Sequence, residues 1–138
     1  MGSNMFGPKD RREKPEWKGW WGMNPPYHAP VFVLSHRERD PVEMEGGTVF
    51  HFVTDGIQSA LDKAKEAAGD RDVKIMGGAS TVNQYLAAGL IDELWLHVAP
   101  VILGKGVRLF EGVSSIRLEP MDTGGSNKVT HIRYRVLR

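Results

Sequence analysis

Val73-Lys74-Ile75-Met76-Gly77-Gly78-Ala79-Ser80-Thr81, continued by V-N-Q-Y-L-A-A-G-L-I-D-E-L-W-L-H-V-A-P-V-I-L-G-K-G-V-R-L-F to Phe110, is the stretch whose reading decides the fold. Its apolar start predicts a strand over 72–76. A Gly-Gly turn follows, then a helix over 80–88 with Val82, Tyr85 and Leu86 on its inner face, stopped by Gly89. A second apolar strand is expected over 93–99, and 100–106 reads as irregular. A glycine turn between a strand and a helix N-terminus is a place where phosphates bind. Backbone N–H groups point outward there, and the helix dipole favours an anion. Gly77 and Gly78 let the backbone approach such a group, since a Cβ would hold it away. The competing reading is a tight turn with no ligand.

Working outward, V-F-V-L-S at 31–35 is a continuous apolar run bounded by Pro30 and by charge, which suits a buried strand. A second strand is expected over 48–53, entered through Gly46-Gly47. Thr54 or Asp55 can cap the next helix, over 57–68. There Ile57, Ala60, Leu61 and Ala64 make the apolar stripe, and Gly69 ends it. At the C-terminal end, 114–119 and 129–137 read as an antiparallel pair joined by a flexible T-G-G-S-N turn. Residues 1–29 differ from the 30–138 body. They are rich in Pro, Gly, Trp and charge, and read as a long loop that folds over the core by its aromatics or lines a substrate. Strands alternating with helices, then strands alone, predict one α/β domain over 1–138 with a mixed sheet and an antiparallel edge. The strand C-termini then share a rim bearing Ser35-His36-Arg37, Thr54-Asp55-Gly56 and Gly77 to Thr81.

Bulk properties narrow the classes. The chain has 138 residues, a formal net charge of +1 and no cysteine. That charge makes no case for nucleic acid, which wants a clustered basic excess. Disulfides, thiolate nucleophiles and Cys-based metal sites are excluded, and a reducing cytoplasm is the expected location. No apolar run reaches the ~18 residues of a membrane span. The histidines show no metal-like spacing, so no metal is expected.

The segments M-G-G-A-S-T and G-L-I-D-E-L…P-V-I-L-G-K-G…L-F resemble the C-terminal half of the dihydrofolate-reductase-like superfamily. Within it, the chain is most similar to the reductase domain of bifunctional riboflavin-biosynthesis enzymes and its stand-alone bacterial relatives. The resemblance covers most of the chain from Val31 onward. Met1 to Phe6 also resembles a strand-to-helix turn of the family. It implies a dihydrofolate-reductase-like sheet with flanking helices and a C-terminal antiparallel pair. It also implies an N-terminally truncated domain, because the family's first strand with its S-L-D-G-type segment, a helix and another strand have no counterpart here. A central strand left out exposes two polar edges, so a homodimer or higher oligomer is expected.

The implied cofactor is NADPH and the implied activity is reduction of a pteridine-like or other small heterocycle. The resemblance assigns cofactor contacts to Gly77, Gly78, Ala79, Ser80 and Thr81, to Ser35, His36 and Arg37, and to Gly2, Ser3 and Asn4. Arg37 suits an adenosine 2′-phosphate. No residue is assigned to catalysis. Asp92 and Glu93 read as a structural pair, His51 and His97 as strand-face residues, and His28 as a candidate substrate contact. A nucleotide-binding or oligomeric remnant without chemistry, and a flavin-binding variant, are the alternatives.

Overall fold

The apolar run before Ser35 forms β1 (Pro30–Leu34), and the run after Thr48 forms β3 (Val49–Val53). In the computed structural model, which describes all residues from Met1 to Arg138, these strands are parallel and pair from Pro30 opposite Val49 to Leu34 opposite Val53. Short β2 (Val42–Glu43) runs antiparallel to β3, giving the order β1-β3-β2. Ahead of β1 in sequence, Met1 and Gly2 lie along its other side. The Leu34 N–H donates to the Met1 carbonyl at 2.9 Å, and Gly2 bridges Leu34 in parallel. The chain then turns into α1 (Ser3–Phe6).

The chain divides into two compact units, Met1–Val82 and Asn83–Arg138. The first is built on one apolar cluster of Phe6, Val31, Val33, Met44 and Phe50. Phe50 is fully buried. Trp21 stacks on it at 5.6 Å, and Phe6 meets it edge-on at 5.1 Å. Trp17, Trp21 and Tyr27 all pack against this cluster, so those aromatics of the loop-rich N-terminal segment are a cover for the core. Trp20 stays exposed. The helix α2 (Gly56–Ala68) buries Ala60 and Leu61, and Gly69 closes it with a positive φ of 61° and an N–H bond to the Lys65 carbonyl. Asp55 holds the N-cap position. Its carboxylate accepts from the Ser59 hydroxyl rather than from a backbone N–H.

The helix expected over 80–88 is α3 (Ala79–Ala87). The second unit contains a three-stranded antiparallel sheet, β4 (Glu93–Val98), β5 (Arg117–Gly125) and β6 (Thr130–Leu137), in the order β4-β6-β5. Leu94 faces Tyr134 and Leu96 faces Ile132, so the alternation of β6 places Ile132, Tyr134 and Val136 on one face.

Two expectations are corrected. The segment 72–76 is not a strand: Val73, Ile75 and Met76 are half-buried, but no backbone hydrogen bond joins 72–76 to a neighbour. Apolar patterning identified an extended segment, but a strand also needs a ladder partner. The flexible turn over T-G-G-S-N is also shorter than expected. Thr123, Gly124 and Gly125 continue β5 and pair with Ile132, His131 and Thr130. The long β-forming run of β6 templates its partner past the glycines. The reversal is confined to 126–129, closed by the Ser126 N–H on the Val129 carbonyl at 2.9 Å. Gly125 is required there, since a Cβ would sit 2.8 Å from that carbonyl oxygen.

Candidate nucleotide site

Three of the sequence-predicted segments meet around the start of the chain, all within the first unit. The Gly2 N–H donates to the Gly77 carbonyl at 3.0 Å, while Gly2 also bridges Leu34. Gly2 therefore links the end of β1 to the glycine turn. Only glycine fits, because a Cβ there would collide with the Thr81 hydroxyl. The Met1 ammonium donates to the Phe32 carbonyl at 2.6 Å, and burial lowers its pKa to about 6.

The turn itself runs through a cis Gly77–Gly78 peptide into α3. The Val82 N–H bonds to the Gly78 carbonyl at 3.1 Å, which makes Gly78 the residue that opens the helix. The N–H groups of a helix's first turn have no intrahelical acceptors. A Cβ built on Gly77 or Gly78 would meet no protein atom within 4 Å, and neither residue has a positive φ. Packing and φ thus do not require glycine at either position. Both positions leave room for a group from outside the chain to approach the backbone closely. Ala79 is half-buried and Ser80 exposed, while Thr81 is buried beneath Gly2, so its side chain contacts the N-terminal segment.

Ser3, Ser35 and Arg37 line one cavity of about 490 Å³, together with Phe6, Arg39 and Phe52. Ser35 follows β1, and its N–H bonds to the Val53 carbonyl at 2.9 Å. Its hydroxyl donates to the Arg37 carbonyl at 2.8 Å and accepts from the Arg37 N–H at 3.1 Å, forming a tight local turn. The Arg37 guanidinium is exposed and pairs with Glu13 at 3.2 Å. The Asn4 side chain is taken by Arg12, and His36 does not line the cavity. An adjoining cavity of about 510 Å³ carries Thr54, Asp55 and Lys63. The parallel pairing of β1 and β3 thus puts Ser35 and Thr54 on one rim, as the topology rule requires.

Arg39 is the residue that sequence reasoning missed. It lies 5.5 Å from the Phe6 ring and 5.0 Å from the Phe52 ring. It donates to the carbonyls of Arg12, Pro15 and Trp17, at 2.9, 3.2 and 2.5 Å. Burial lowers its pKa, with Glu16 opposing. It anchors the N-terminal loop as the cavity wall. In S-H-R-E-R-D-P it reads as one more loop charge, and its only signal is the aromatic and carbonyl-rich loop it reaches. His28 is likewise structural: its N–H donates to the Thr48 hydroxyl at 2.9 Å, and its ring bonds the Gly46 carbonyl at 2.8 Å.

The RibD C-terminal domain family matches residues 1–130. The chain belongs to this family. The chain is 37% identical over 73 residues to the uncharacterized protein YyaP of Bacillus subtilis (strain 168), covering 52% of this chain and 38% of YyaP. It is 33% identical over 64 residues to YwjB of the same organism, covering 46% and 36%. Among solved structures, a Shewanella sp. PV-4 protein assigned to riboflavin biosynthesis aligns with a TM-score of 0.66 at 24% identity, over 82% of this chain and 63% of that one. Acinetobacter baumannii RibD aligns at 0.58 and 20%, over 78% and 37%. Saccharomyces cerevisiae riboflavin biosynthesis reductase Rib7 aligns at 0.54 and 18%, over 80% and 57%. The chain therefore has the mixed α/β, dihydrofolate-reductase-like fold of RibD-type reductases, and it spans less than two thirds of the length of these relatives.

Proposed function

We propose that the chain is an NADPH-dependent reductase of the RibD type, acting on a pteridine-like or other small heterocycle in the cytoplasm as a homodimer or higher oligomer. The observation that carries this reading is the junction at Gly2. It draws the Ser35–Arg37 turn, the α1 start and the Gly77-Gly78 helix entry into one region. NADPH, when bound, supplies a hydride to the heterocycle, and the protein contributes binding and orientation. Gly77 and Gly78 admit the pyrophosphate against the start of α3. Arg37 exchanges the Glu13 carboxylate for the 2′-phosphate, an acceptor its planar fork suits equally well. Ser3 and Asn4 flank the same turn.

A second reading is nucleotide binding without turnover. It is favoured by the engagement of the cavity's cations, with Arg37 held by Glu13, Arg39 by carbonyls and Arg12 by Asn4. Titration with NADPH and NADH, followed by nicotinamide fluorescence, tests both. The protein is expected to prefer NADPH, and Arg37→Ala to weaken NADPH by about tenfold with little effect on NADH. Equal loss for both nucleotides refutes the role of Arg37. Binding without oxidation in the presence of pteridine and pyrimidine acceptors supports the second reading.

A further inference from the structure

The sheet of the second unit carries a feature that reductase chemistry does not use. His97 on β4 and His131 on β6 are directly opposed in the ladder. Their Nδ1 atoms lie 2.6 Å apart, and the ring planes are inclined at 75°. At that separation one Nδ1–H donates to the lone pair of the other, so both nitrogens converge on a single point. Both side chains are exposed. The residue opposite His131 on its other side is Gly124, where a Cβ would meet no atom within 4 Å. The pair is thus open to solvent beside β5.

We propose that His97 and His131 form a two-nitrogen site for a divalent transition cation of the zinc and copper class, clamping β4 to β6. The donating ring shifts its proton from Nδ1 to Nε2, so that two neutral imidazoles each present an Nδ1 lone pair to the cation, a ligand type such ions prefer. At metal–nitrogen distances of about 2.0–2.1 Å, two ligands of a tetrahedral ion stand roughly 3.3 Å apart. Opening the pair to that separation needs a ring rotation and no shift in register. Waters complete the coordination from the side left free by Gly124. The neighbouring pair on the same face does not compete for the cation: the Arg133 guanidinium lies 4.8 Å from the Trp95 ring and bonds Glu93 at 2.6 Å.

Calorimetric titration of the untagged full chain with zinc chloride tests this. One zinc per chain is expected, with each of His97→Gln and His131→Gln weakening it by at least about tenfold. His36→Gln, at an exposed histidine of the first unit, is expected to leave it unchanged. Circular dichroism checks that the variants fold. Copper(II) added to the wild type is expected to give an electron paramagnetic resonance spectrum with nitrogen ligands, lost in the double variant. Zinc affinity unchanged by either substitution, or no saturable binding by the wild type, overturns the proposal.

Discussion

The two units solve the burial problem differently. The first gathers Phe6, Val31, Val33, Met44 and Phe50 into a cluster sheathed by its own tryptophans. In the second, every residue of β5 is exposed, and Ile102 and Val107 are 97% and 84% exposed. Its buried apolar residues are Tyr85, Leu86, Ile91 and Leu94, and its sheet is tied by the β4-β6-β5 ladder and cross-strand ion pairs, Arg133 with Glu93 and Arg135 with Glu119, at 2.6 and 2.8 Å. Exposed pairs of this kind add little. Apolar burial scales with area removed from water, so the first unit should hold most of the stability resident in this chain.

The largest expected effect is therefore in the first core. Phe50→Ala should cost about 3–5 kcal/mol, read as a fall in the urea midpoint monitored by tryptophan fluorescence. A loss below about 1 kcal/mol would break the comparison. Gly46→Ala should come next, at about 1–3 kcal/mol in the same assay. Gly46 has a φ of 75°, and a Cβ there collides with Asn24 and lies 2.8 Å from the His28 ring. An unchanged midpoint would show that the His28 loop yields freely.

The smallest effect belongs to the second sheet. The Arg133 bond, and then the Trp95 indole, hold the Glu93 carboxyl below its ordinary pKa. A carboxyl lowered on folding contributes stability above its unfolded pKa, and that stability is lost as pH falls through the folded value. Glu93→Gln should thus lower the melting temperature slightly at pH 7 and leave it unchanged at strongly acid pH. A pH-independent difference would assign the effect to something other than the ion pair.

The same contrast explains what was legible in the sequence. β1, β3 and α2 were, because apolar runs and the Ile57–Ala60–Leu61–Ala64 stripe are local patterns set by local geometry. The extended segment 72–76 read as a strand because the sequence does not show whether a partner stands beside it. The Gly124–Gly125 extension of β5 was missed for the converse reason: its partner, β6, overrode the local turn signal. At the candidate site, glycines announced the turn at Gly77-Gly78. The Gly2–Gly77 bond joins residues far apart in sequence and only the fold reveals it. Arg39 was hidden because a guanidinium's role depends on which carbonyls and rings it reaches.

The central claim, a phosphate held against Gly77 and Gly78 at the start of α3, is tested most directly by NADPH titration of Gly78→Val beside the wild type. Because a Cβ at Gly78 meets no protein atom within 4 Å, the variant should keep its far-ultraviolet circular dichroism. The account predicts saturable NADPH binding by the wild type and none by the folded variant. Equal affinity in the two would contradict it.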